Sequence, residues 1–341
     1  MLAKKSLLFA ALSLAVALFG ESAVSEDQTA NETRSSAKAG PLEARDVATD
    51  GGRAVVVTID GQPFASLCYE GFAKPIVYPV IGPGGVSMVR HFPMKKDVEG
   101  EASDHPHQQS VWFTHGDVNG TSFWHLGKDA GTIVTTKAQV TDAKTHATDR
   151  GAIYSVGVAL ADEWRKPDGA VVCTDSQEVR FVLLPGGSRA VDYAVTLRAT
   201  HGEVKFGDTK EGTAGIRTNP KLRIDRGASA VNSAGDTGKA IWGKRATWVD
   251  YSAKIDDRLV GVAVFDHPSN PRHPTWWHAR EYGLVAANPF GIHDFEKKPA
   301  GAGDFVIESG KTATFRYRFL FHAGDAEAAH VAQQYAVWAK N

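Results

Sequence analysis

From Arg53 onward the hydrophobic positions of the chain recur with a period of two. Val55, Val57 and Ile59 share one face, and Asp60-Gly61 follows as a hairpin turn signal. Tyr154, Val156, Val158 and Leu160 face one way, with Ser155, Gly157, Ala159 and Ala161 between them. Val191, Tyr193, Val195 and Leu197 do the same against Asp192, Thr196 and Arg198. Ala313, Phe315, Tyr317, Phe319 and Phe321 make the clearest strand, with Arg316, Arg318 and His322 on its other side. Turn clusters such as Lys166-Pro167-Asp168-Gly169 and Pro185-Gly186-Gly187-Ser188 separate these runs. Only Asp325 to Lys340 reads as a helix, capped by Asp325, with Ala328, Val331, Tyr335 and Trp338 on one side. Many strands, short turns and one terminal helix predict an all-β protein: a large antiparallel β-sandwich with a C-terminal helix. Residues 51–341 contain no linker that would divide them and no repeat of fixed period, so a single domain is expected.

The N-terminal residues follow another pattern. Lys4 and Lys5 precede the apolar run Leu7 to Phe19, and the small residues Ala23 and Ser25 lie just beyond. This is the layout of a secretory signal peptide over residues 1–25, with an apolar core shorter than the ~20 residues that span a bilayer. The expected location is secreted or periplasmic. Residues 26–50 are rich in Ser, Ala, Thr and charge and read as a disordered leader.

Composition narrows the classes further. The 341 residues are 43% hydrophobic and 23% charged, which is a globular balance. Lys+Arg 38 against Asp+Glu 39 leaves no basic excess for nucleic acid, and no apolar run beyond the leader is long enough for a membrane span. Two cysteines, Cys68 and Cys173, cannot build a disulfide scaffold or a thiolate zinc site. A G-x-S-x-G elbow, a P-loop and an H-E-x-x-H motif are all absent.

Candidate chemistry gathers in three segments. Nine of the 13 histidines fall in two windows, His91, His105, His107, His115 and His125 in the first and His267, His273, His278 and His293 in the second. In Asp104-His105-Pro106-His107, Pro106 pushes His105 toward an extended conformation, which would set two imidazoles on one face. Such a pair could bind a metal with His115 or Asp117, exchange protons near neutral pH, contact sugar hydroxyls, or serve as satisfied structural histidines. In Lys210-Glu211-Gly212, Glu211 is a candidate base held ionised by Lys210 or Arg217; the alternative is an exposed turn with a surface ion pair. In His267 to Asn288, three prolines stiffen a loop carrying Arg272, Trp276, Trp277, His278, Arg280 and Asn288. Aromatic plates beside Asn, Arg and His suit a sugar ring, although core packing is the ordinary fate of at least one of the tryptophans.

These blocks resemble a bacterial family often labelled "methane oxygenase PmoA", or PmoA-like, a domain of unknown function. The resemblance is carried by Asp104-His105-Pro106-His107, Trp112 to Gly120, Lys210-Glu211-Gly212, Asn232-Ser233, Trp242 to Ala246, Trp248 to Tyr251, His267 to Arg272, Tyr282-Gly283-Leu284 and Asn288 to Gly291. It extends from about Arg53 to Lys340. Gln108-Gln109 stands where members tend to show a further His and an Arg, which weakens a three-histidine metal model. The membrane methane monooxygenase subunit that the label echoes would need several apolar spans, and this chain beyond its leader has none. The resemblance implies secreted proteins from bacteria rich in polysaccharide-degrading systems, with an architecture similar to the galactose-mutarotase-like supersandwich.

The resulting expectation is a protein that binds and transforms a carbohydrate or other polar small molecule by epimerisation, hydrolysis or elimination. His105, His107 and His278 exchange protons and Glu211 is the general base. His115, Arg217, Arg272, Trp276 or Trp277, Arg280 and Asn288 position the ring. No cofactor is firmly implied, and oligomeric state stays open. One alternative is a divalent-metal oxygenase or hydrolase on His105, His107 and His115; another is a non-catalytic glycan-binding module.

Overall fold

Strand parity is kept almost throughout the computed structural model, which describes residues 34–340. The signal-peptide expectation therefore lies outside the described residues. One sheet has nine strands, in spatial order Ser36–Ala39, Leu42–Thr49, Gly52–Ile59, Gln62–Cys68, Ile76–Val80, Val111–His115, Gly212–Arg217, Leu284–Asn288 and Trp276–Ala279. The other has eight, in order Ser229–Asn232, Trp248–Ile255, Arg258–Asp266, Thr312–Ala323, Arg189–Arg198, Val171–Leu183, Gly151–Arg165 and Thr132–Thr148. Neighbouring strands pair antiparallel in both.

The expected inward rows face each other across one core. Val55 and Val57 meet Val156, Val158 and Leu160, while Val191, Tyr193, Val195 and Leu197 pack with Phe315, Tyr317, Phe319 and Phe321. Phe64 meets Phe181 edge-on between the sheets at 5.9 Å, and Phe113 meets Phe315 at 6.2 Å. Asp60 and Gly61 both take positive φ, 50° and 76°, as the tight hairpin turn requires. The sandwich is thus antiparallel and all-β, and apolar burial holds its layers together.

Two boundaries need correction. The leader expected to be disordered through residue 50 is a β-hairpin from Ser36 to Thr49. Low side-chain bulk misled the reading there, because backbone pairing with Gly52–Ile59 and full burial of Leu42 and Ala44 secure the segment. Asp46 is buried with them, its Oδ1 accepting from Tyr69 Oη at 2.7 Å and Arg53 Nη2 at 3.1 Å. The domain therefore begins before residue 51. The C-terminal helix is shorter than expected, Val331–Trp338, and follows turns in which Asp325 Oδ1 accepts from Ala328 N. His330 just before it has φ 52°, a left-handed residue that interrupts the helix expected from Asp325. A second short helix, Ile292–Glu296, has no counterpart in the sequence expectations.

Candidate functional site

The nine-stranded sheet turns its second face away from the core, and the candidate chemistry gathers there. Register places His278 opposite Ala286, Ala286 opposite Gly215, Gly215 opposite Trp112, and Trp112 opposite Ile76. This row crosses five strands on one face. A Cβ on Gly215 would lie 2.8 Å from Trp112 Cζ2, so the glycine makes room for the indole. Trp124 meets Trp112 edge-on at 5.5 Å and stacks against His278 at 6.5 Å. Above this layer lies a cleft of about 430 Å³ lined by His105, His107, Gln108, His125, Lys210, Glu211, His278, Arg280 and Tyr282. Its size suits a small ligand. A larger hollow of about 670 Å³ lies elsewhere, between the eight-stranded sheet and the C-terminal segment, and includes none of the candidates.

The histidine segment is wound around two buried cations. Arg90 donates to the carbonyls of Ala102, Asp104, His105 and Gln108 and to Asp104 Oδ1. Lys74 Nζ donates to the His107 carbonyl at 3.2 Å. Gln108 N bonds the His105 carbonyl and closes a turn, so His105 has φ 46° rather than the extended conformation expected before Pro106. The two imidazoles nevertheless sit side by side, with centroids 5.7 Å apart, and His125 stands 5.1 Å from His107. His105 also stacks on Tyr282 at 5.2 Å with planes 13° apart, and its Nδ1 lies 2.8 Å from Asp104 Oδ2.

Glu211 reaches the cleft because its loop is pinned from several sides. Asn288 Nδ2 donates to the Thr209 carbonyl, Asp294 accepts from Lys210 N, and Thr209 Oγ1 accepts from Glu211 N. Gly116 N donates to the Glu211 carbonyl at 2.6 Å, and a Cβ on Gly116 would come within 2.7 Å of Glu211 Cβ. The carboxylate lies 3.4 Å from Lys210 Nζ, which is the partner expected for it. Arg217, the other expected partner, serves Asp104 and Gln108 instead.

Burial sets the protonation of the site. Desolvation, then the nearby His125 and Lys74, pull the His107 imidazole down to about 3; desolvation, then Arg280, does the same to His278. Both rings are therefore neutral at neutral pH. Desolvation lowers Lys74 to about 7. Burial raises the Asp104 carboxyl, but Arg217, His105 and Arg90 outweigh it and leave its pKa below the ordinary value.

Of the expected site residues, His105, His107, Glu211, His278 and Arg280 meet in the cleft. The others do not line it. His115 shares the inward parity of Val111 and Phe113, is fully buried against Phe206 and Phe290, and bonds the Gly207 carbonyl through Nε2. The metal set of His105, His107 and His115 is consequently split between two faces of the sheet. Among the described residues no group of three His, Cys, Asp or Glu side chains is arranged to hold a metal ion. Arg217 is fully buried behind the cleft with Tyr282 4.5 Å from its guanidinium carbon. Arg272 donates to the carbonyls of Pro289, Gly303 and Asp304, and Asn288 bonds Phe290 N, Gly291 N and Thr209. Trp277 belongs to the core; Trp276 is covered by Arg245 at 4.3 Å and donates to Glu296. Their hydrogen bonds go to other groups of the protein, which is why they do not position a ring in the cleft.

The sequence reading missed Gln108, His125, Lys210 and Tyr282 as cleft residues and Trp124 as their support. Tyr282 carried a signal: it alternates with His278 and Arg280 along a segment that leads away from the sheet. His125 belongs to the first histidine window but had no role assigned to it, and Trp124 carries no period of its own.

The fold and site together define an antiparallel sandwich with a histidine-lined cleft on the outer face of one sheet. The chain belongs to a family of unknown function, DUF6807, whose model matches residues 54–336. Among curated proteins, 105 residues are 30% identical to DNA polymerase IV of Pseudomonas aeruginosa strains UCBPP-PA14 and PAO1. That stretch is 31% of this chain and 27% of the polymerases, so the chain spans about a quarter of the length of the curated relatives it matches.

Proposed function

We propose that the cleft binds a carbohydrate and transforms it by acid–base chemistry. The observation that carries this reading is convergence: His105, His107, His278 and Glu211, from three separate segments of the chain, line one cleft. Glu211 acts as the base. His107 and His278, kept neutral by burial, hydrogen-bond substrate hydroxyls rather than deliver protons at neutral pH. His105, oriented by Asp104 and by Tyr282, is the ring that exchanges a proton with substrate. Among the described residues Glu211 is the single carboxylate lining the cleft, whereas most glycoside hydrolysis needs two. Epimerisation or elimination fits this set better than hydrolysis.

The resemblance to PmoA-like proteins and to the galactose-mutarotase-like sandwich supports the same reading at the level of architecture alone. Export to the periplasm or beyond is part of the proposal and rests on the pattern of residues 1–25. A screen of mono- and oligosaccharides for turnover tests it. On any substrate found, Glu211→Gln should lower kcat by at least about 100-fold with an unchanged thermal midpoint. Full activity in that variant overturns the assignment, and affinity without turnover for every sugar makes the protein a binding module.

A further inference from the structure

Resting on the carbohydrate reading, we propose that the cleft is built for an acidic sugar, its carboxylate against Arg280 and one of its hydroxyls donating to His278. Three buried nitrogens of cleft-lining side chains have no hydrogen-bond partner, His105 Nδ1, Arg280 Nε and His278 Nδ1; the first faces Asp104 Oδ2 at 2.8 Å, which leaves Arg280 Nε and His278 Nδ1 for a ligand. With the His278 proton on Nε2 they are of opposite polarity. Arg280 Nε–H can only donate, and the nearest carboxylate, Glu281 Oε2, is 3.9 Å away, beyond hydrogen-bond reach. In the neutral tautomer with its proton on Nε2, His278 presents a lone pair on the buried Nδ1 to a ligand hydroxyl.

A neutral polyol could satisfy Nδ1 but would leave Arg280 Nε facing no carboxylate nearer than Glu281 at 3.9 Å. A simple anion could satisfy Arg280 but would offer no proton to Nδ1. A hydroxy acid satisfies both, and uronates are sugars of that class. The surrounding charge agrees. Lys210 and Arg280 line the cleft and Arg90 and Arg217 stand directly behind it, against Asp104, Glu211 and Glu281. One carboxylate, Asp104, is shared by both buried guanidiniums, so positive charge is in excess. Arginine is suited to planar carboxylate recognition.

The full chain is titrated calorimetrically with three matched probes: galacturonate and glucuronate oligosaccharides, their methyl esters, and their carboxyl-reduced counterparts. The free acids should bind at least about tenfold more tightly than the other two forms. Arg280→Gln, and separately Lys210→Gln, should each shrink that preference, with binding of the reduced form kept as the sign of an intact cleft. Equal affinity for all three forms overturns the acidic-sugar assignment and leaves the carbohydrate reading standing. Binding of none of them overturns both. A preference that survives both substitutions overturns the placement of the carboxylate.

Discussion

Lys74 is sealed from solvent, and its ammonium donates to the backbone carbonyl of His107 at 3.2 Å. Among the described residues no carboxylate forms an ion pair with it, so the turn that presents two cleft imidazoles rests on a cation with no described counter-charge within ion-pair distance. Desolvation accordingly lowers its pKa from 10.5 to about 7. Because the folded value lies below the unfolded one, the unfolded chain binds the extra proton between about pH 7 and 10.5. Stability should rise with pH across that window, by up to about 1.4 kcal/mol per pH unit from this group. Denaturant unfolding at a series of pH values checks it. Lys74→Met should flatten the rise, and an identical slope in both proteins would sink the claim.

His115 and His278 make the opposite end of the pH range informative. Both are buried, and desolvation depresses them from 6.5 to about 4 and about 3. As pH falls below 6.5 the unfolded chain protonates these rings while the folded chain does not. Each should therefore erode stability by up to about 1.4 kcal/mol per pH unit down toward its folded value. His115→Gln and His278→Gln should each reduce the acid sensitivity measured by urea unfolding between pH 6.5 and 4. Unchanged acid sensitivity in both variants would show that the rings are already solvated.

Asn288 should behave as a positioning residue for Glu211 rather than as a ligand contact. Its side chain joins Thr209 to the amides of Phe290 and Gly291. Asn288→Ala strands three backbone groups and should cost about 2–4 kcal/mol in denaturant unfolding. Asn288→Asp keeps the two bonds accepted by Oδ1 and loses the one donated to Thr209, so it should recover part of that loss. A neutral effect of the alanine substitution would contradict the role.

Much of the fold could be read along the chain, because a buried sheet face demands alternation and Phe315, Tyr317 and Phe319 can satisfy it in only one orientation. The pairing of His105 with His107 was also legible, although the backbone reaches it through a left-handed His105 rather than an extended one. The fates of Arg272, Asn288 and Trp276 were not. Sequence names them as donors with reach, but the acceptors that claim them are Pro289, Gly303, Thr209 and Glu296, which only folding brings near. His115 was misplaced for a related reason: it differs from the cleft histidines by the parity of its strand, not by its neighbours in sequence.

The sequence by itself determined the all-β class, the strand faces and the presence of histidines, a glutamate and arginines in segments with few large aliphatic residues. These follow from local periodicity and from what each side chain can donate or accept. Tertiary structure alone decided which of those groups share water with a ligand and which spend their hydrogen bonds inside the protein. That division depends on strand register and burial, and both are set by contacts between residues far apart in the chain.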